Sequence, residues 1–327
     1  MIVSAVADPT AFGPSGITDE LSKREAIAFL NGIVANGVLL DEPTKELLRL
    51  AINEASQLST NMGQRLQLLL VEIKKQHKKL VVTCDQSRWQ QQNTSTIPLK
   101  CAAVAEILKA DLIVTQAGHL AAIQTAVVDG AEISLLRDAS QTRFEVSRLR
   151  LLQIPKPLDE LTLAEIEEFV GRAFKYASTI RFFDYRMIGS PQRTSRYVAG
   201  MQFFIAIWER WCVVGHPSSR RVEVYTVGNT QTQNGFLDGA AADALLASSI
   251  QGPLKAATGA TVDRFVKEDR QPAIFHARGF EAHCRAFTID PGFDAVAARG
   301  AIRRCLLKVD LAAESHFADC RKLKALP

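Results

Sequence analysis

The chain is short of most features that assign function at a glance. Its six cysteines (84, 101, 212, 284, 305 and 320) form no C-x-x-C pair and no Cys/His spacing suited to zinc. That argues against a zinc-finger or thioredoxin-type site and fits reduced thiols in a cytoplasm. No apolar run approaches the ~20 residues of a membrane span. The most apolar stretch, Tyr197–Trp208, carries Gln202 and reads as a buried helix. The opening residues, Met1 to Asp8, lack a basic n-region and soon meet an acid, so no secretory signal is expected. Gly13-Pro-Ser-Gly16 lacks the Gly-Lys-Ser/Thr ending of a phosphate loop. Low-complexity tracts and internal repeats are not evident. Charge of one sign is scarce too: 39 Lys and Arg against 35 Asp and Glu leave +4, which neither demands nor excludes nucleic acid.

What is present is ordinary in bulk and patterned in detail. A hydrophobic content of 47% with 23% charged residues matches a folded chain, and 327 residues suggest about two domains. Five segments of the first 140 residues read as buried strands: Ile2–Ala7, Gly37–Leu40, Lys79–Cys84, Leu112–Thr115 and Glu132–Leu136. Helical patterns alternate with them at Asp19–Ala35, after Glu42-Pro43, at Gly63–Gln76 and at Pro98–Lys109, with Gln86–Ser95 read as a loop. This alternation predicts an α/β fold with a parallel sheet covered on both faces.

Four of the strands run into acids: Asp8, the pair Asp41 and Glu42, Asp85, and Asp138 one residue beyond Arg137. In an open α/β sheet the strand carboxyl ends share one edge, where ligands bind. Carboxylates converging there suit a hard cation, Mg²⁺ or Mn²⁺. The expected metal ligands are therefore Asp8, Glu42, Asp85 and Asp138, with Asp8, Glu42 and Asp85 as the catalytic set activating water against a phosphodiester. Helix capping is the competing role, favoured for Asp41 beside Glu42-Pro43. Basic clusters at Lys74–Lys79 and at Arg299, Arg303, Arg304 and Lys308 read as solvated helix faces or phosphate-tracking surfaces.

Residues 152–162 carry two prolines and charge, as linkers do, which divides the chain into 1–152 and 163–327. The second part reads as α/β: helices at Leu163–Ala177, Tyr197–Trp211 and Gly239–Ala257, and strands at Ile180–Phe183 and Arg221–Val227. Strands around Val262–Val266, Ala273–Ala277, His283–Ile289 and Ile302–Val309 then lead to a terminal helix, with a run of antiparallel strands expected towards the end. His119 reads as a surface or capping residue, and Trp208 and Trp211 as core.

Val3-Ser-Ala-Val-Ala-Asp8, Val38-Leu-Leu-Asp-Glu42 and Ala110-Asp-Leu-Ile-Val-Thr115 resemble the strands and acids of a PIN-like domain, a Rossmann-like nuclease fold. The resemblance covers about residues 1–140 and implies divalent-metal-dependent phosphodiester hydrolysis. Two positions depart from that family: Gln116 follows Thr115 where an Asp is usual, and Lys100 stands where the preceding helix usually begins with an acid. Asp85 and Asp138 would have to substitute. Ile274-Phe-His-Ala-Arg-Gly-Phe-Glu-Ala-His283 resembles the H-x-K-x₄-D region of phospholipase-D-like folds, in the degenerate form found at the C-terminus of MIT-domain proteins. His276 then holds the His position, Arg278 the Lys position and His283 the Asp position, and no second copy exists. The resemblance implies recognition, with His276, Arg278 and His283 binding an anion or partner. Apart from the resemblance, Tyr185, Arg186 and Arg196, near the strand end at Asp184, are expected to line the same cleft as Arg278. The alternative is that His276 and Arg278 lie on one face of a strand and pair with Asp290 or Asp294. Together the two resemblances imply a nuclease-related component of a bacterial defence or antiviral conflict system. The alternative is a catalytically inactive adaptor that binds a partner protein or nucleic acid.

Overall fold

The structure is a computed structural model. It describes residues 3–58, 61–127, 130–143, 145–146, 149, 156–157, 160–185, 187, 191–227, 231–232, 235–236, 239–268, 278–283, 285–290, 292–296, 306–309 and 311–325. Two compact units divide the chain, Met1–Gln153 and Ile154–Pro327. No helix among the described residues is long and apolar enough to cross a membrane.

The first unit alternates β1 (Val3–Ala7), α1 (Glu20–Asn36), β2 (Gly37–Asp41), α2 (Glu46–Ser56), α3 (Asn61–Lys75), α4 (His77–Leu80) and β3 (Val81–Thr83). It continues through α5 (Gln86–Trp89), α6 (Ile97–Leu108), β4 (Leu112–Thr115), α7 (Ala117–Ala126) and β5 (Glu132–Leu135). The sheet order is β3-β2-β1-β4-β5 and every pairing is parallel. β1, β2 and β4 are buried along their whole length, as strands covered on both faces must be. Successive side chains point to opposite faces. Ala5, Ala7 and Leu39 join a core with Leu30 and Ile33 of α1, Leu48 of α2 and Leu66 and Leu70 of α3. α6, whose Cys101, Val104 and Ala105 are buried, lies against β1, β2 and β4.

Local chemistry explains where elements depart from expectation. The helix after Glu42-Pro43 begins only at Glu46, because Lys45 adopts a left-handed conformation (φ 61°) at its N-cap. Lys79 and Leu80 close α4, which shortens the third strand to Val81–Thr83. The expected Gln86–Ser95 loop opens with the short helix α5, because Asp85 caps the backbone N–H groups of Ser87 and Arg88.

The second unit holds a mixed sheet of β6 (Lys156–Pro157), β7 (Thr179–Phe183), β8 (Arg221–Val227), β11 (Thr261–Lys267), β12 (Gly279–Ala282), β13 (Arg285–Asp290) and β14 (Leu306–Val309). A separate two-stranded ribbon joins β9 (Gln231–Thr232) to β10 (Gly235–Phe236). The large sheet runs β11-β8-β7-β12-β13-β14-β6. Its first strands are parallel, so the strand around Val262–Val266 is not part of the antiparallel series that β12, β13 and β14 form. Helices Leu163–Phe174 and Pro191–Trp211 supply Phe174, Phe204 and Trp208 to the core, and Trp208 Nε1 donates to the Ala177 carbonyl at 2.6 Å. Trp211 is only half-buried and donates through Nε1 to Glu167. Lys156 and Pro157, within the expected linker, pair as an edge strand with Leu307 and Leu306. The strand expected at Ala273–Ala277 lies outside the described residues.

Candidate functional site at the carboxyl edge of the parallel sheet

The topology places Asp85, the pair Asp41 and Glu42, and Asp8 at the carboxyl ends of the adjacent strands β3, β2 and β1. Neighbouring strands lie about 4.8 Å apart, so these acids share one edge. What each carboxylate touches then decides what it can do.

Asp8 is fully buried, in the turn between β1 and a single 3-10 turn, Pro9–Phe12. Its Oδ1 accepts from the Thr10 backbone N–H (3.0 Å) and the Thr10 hydroxyl (2.8 Å). Its Oδ2 accepts from the Thr115 hydroxyl at the end of β4 (2.6 Å) and lies 2.8 Å from His119 Nδ1. β1 and β4 are neighbours, and the chain leaves them in opposite directions, to β2 and to β5. This is the point where the strand order reverses and a crevice opens in such sheets. His119 stands in the first turn of α7 with its side chain 26% exposed.

Glu42, almost fully buried, accepts from the Thr44 N–H and hydroxyl and from the Glu46 N–H. Asp41 accepts from the backbone N–H groups of Glu42, Leu47 and Leu48, so it caps α2 as the sequence reading favoured. Burial pushes the Asp41 carboxyl up to about 7 against those three donors, with the nearby Glu42 charge adding to the rise. Asp85 is exposed, and its hydrogen bonds to Ser87 and Arg88 hold its carboxyl below the usual range. Asp138 sits beyond β5 on the far side of the sheet, half-exposed, with Arg137 Nε 3.7 Å from its carboxylate.

These residues do not fit a divalent-metal cage as placed. Among the described residues no three His, Cys, Asp or Glu side chains are grouped to hold a metal ion. Asp8 and Glu42 face the protein's own donors, and Asp138 is separated from Asp85 by the full width of the sheet. The thiols of the same region are not alternatives. Burial pushes Cys84 up to about 12 and Cys101 well above the ordinary thiol range, and the charge of Asp41 adds to both.

In the second unit Arg278 immediately precedes β12, beside the carboxyl end of β7. Its guanidinium lies 4.9 Å from the Tyr185 ring centre and donates to the Tyr185 hydroxyl at 2.9 Å, so the two do line one place. Its acidic neighbour is the buried Asp184, 3.9 Å from Nε, rather than Asp290 or Asp294. His283 lies at the opposite end of β12, in the turn to β13 with φ 52°, which separates it from Arg278 by roughly 15 Å of strand. Arg278 and His283 are therefore not brought together. Arg186 and His276 lie outside the described residues.

Sequence reasoning passed over His119 as a partner of Asp8. The signal was topological: if β1 and β4 are neighbours, the first turn of the helix after β4 faces the turn after β1. Comparison of the chain with protein-family models, with curated proteins and with solved structures finds no match.

Proposed function

We propose that this protein is a non-hydrolytic recognition factor of two α/β units, an adaptor that binds a partner protein or nucleic acid in the cytoplasm. One observation carries the reading. The buried strand-end acids Asp8 and Glu42 already accept hydrogen bonds from Thr10, Thr115, Thr44 and Glu46, the arrangement of caps and latches. In the second unit Arg278, stacked on Tyr185, presents a planar forked donor suited to a phosphate or carboxylate on the partner.

A second reading, Mg²⁺- or Mn²⁺-dependent cleavage of single-stranded nucleic acid, draws on the three adjacent strands that end in acids. Calorimetric titration of the full chain with Mn²⁺, alongside cleavage assays on labelled single-stranded RNA and DNA, separates the two. The adaptor reading expects no saturable metal binding and no cleavage that differs between the natural chain and Asp8→Asn. Metal-dependent cleavage lost in Asp8→Asn would overturn it in favour of the nuclease.

A further inference from the structure

Beyond recognition, we propose that His119, fixed by Asp8, is a nucleophilic site that accepts a phosphoryl group on Nε2 from donors of the phosphoramidate class. The geometry sets the tautomer. Asp8 accepts from Thr10 and Thr115, and the Thr10 hydroxyl, 3.3 Å from Nδ1, already donates to Asp8. The proton between Asp8 Oδ2 and His119 Nδ1 therefore belongs to Nδ1. Nε2 is left with its lone pair, no partner among the described residues, and a ring partly open to solvent. A carboxylate on one imidazole nitrogen raises the basicity of the other and stabilises the ring when it gains charge.

The reaction balances without a metal. The Nε2 lone pair forms the N–P bond as the P–N bond of phosphoramidate breaks. The donor nitrogen, already protonated, leaves as ammonia. Positive charge appears on the ring, the Nδ1 proton stays in its hydrogen bond, and buried Asp8 meets that charge. The transferred group then sits in the first turn of α7, a ten-residue helix whose N-terminal end favours negative charge. Such a mark would place negative charge at the carboxyl edge of the sheet, beside the ends of β1 and β4.

The test incubates the full chain with phosphoramidate at neutral pH and maps phosphohistidine by mass spectrometry, with phosphorus NMR to identify the nitrogen. His119 should be labelled more than about tenfold faster than the exposed His216, on Nε2. Asp8→Asn should slow His119 labelling by about tenfold or more and leave His216 unchanged. Nitrogen NMR of the natural chain at about pH 8 should show His119 as the Nδ1–H tautomer. Should Asp8→Asn fail to fold, the NMR tautomer and the His119-to-His216 ratio in the natural chain still decide. Labelling of His119 no faster than His216, or a ring doubly protonated at that pH, would overturn the proposal and leave the pair as a structural ion pair.

Discussion

Ser4 and Asp111 lock β1 to the start of β4: Asp111 Oδ2 accepts from the Ser4 backbone N–H at 3.1 Å and from its hydroxyl at 2.7 Å, while the Asp111 N–H donates back to the Ser4 hydroxyl at 3.1 Å. Both residues are buried. The latch sits at the opposite end of these strands from Asp8, so it supports the sheet without touching the candidate site. Ser4→Ala removes a donor from a buried carboxylate and should cost ~1–3 kcal/mol. A shift of the urea midpoint with an unchanged slope measures it, and an unshifted midpoint would show the latch to be energetically idle.

Asp41 gives the first unit a pH dependence of definite sign. Its carboxyl is raised from about 3.8 to about 7 by burial, so the folded state holds a proton that the unfolded chain releases. The resulting stabilisation is complete below about pH 4 and is lost as the pH rises through about 7. Thermal midpoints measured between those limits should decline with pH, and Asp41→Asn should flatten the decline. A slope that Asp41→Asn leaves intact would assign the dependence to another group.

Gly200 lets the helix Pro191–Trp211 approach the 3-10 turn Phe293–Ala295, where Phe293 packs edge-on against Phe182. A Cβ at this position would run into the Phe293 carbonyl oxygen, which is backbone and cannot swing aside. Gly200→Ala should therefore destabilise the second unit by ~1–3 kcal/mol despite the better helix propensity of alanine. Hydrogen exchange should speed up in β7 and β12, and unchanged protection there would mean that the turn yields without cost.

The sheet of the first unit was legible because a buried parallel strand writes itself as a short apolar run, as at Val38–Leu40 and Leu112–Val114. β8 was read to the residue from Arg221 to Val227 for a similar reason, its alternating β-branched side chains. The site was less legible. Acids at strand ends look alike whether they face a cation or the first amides of a helix, and only the position of Lys45 and the path of α2 decide that for Asp41 and Glu42. His119 was hidden further, since its meeting with Asp8 spans 111 positions of sequence and depends on which strands are neighbours. Strand direction in the second unit also depends on tertiary pairing, which local pattern does not encode for β11.

Thr115 offers a separate check on what Asp8 is for. Its hydroxyl, buried at the end of β4, donates to Asp8 Oδ2 at 2.6 Å. Thr115→Val keeps the branched shape and removes the donor, leaving a fully buried carboxylate with one partner fewer. If Asp8 is a capping and orienting group, the substitution should cost ~1–3 kcal/mol, and millimolar Mg²⁺ or Mn²⁺ should restore none of it. A cation-binding Asp8 predicts the reverse: the oxygen that loses the Thr115 hydroxyl takes up the cation, and stability rises with metal concentration as binding to the folded state requires. Differential scanning fluorimetry of Thr115→Val across a metal titration distinguishes the outcomes, and a metal-dependent rise in its midpoint would return Asp8 to the role of a metal ligand.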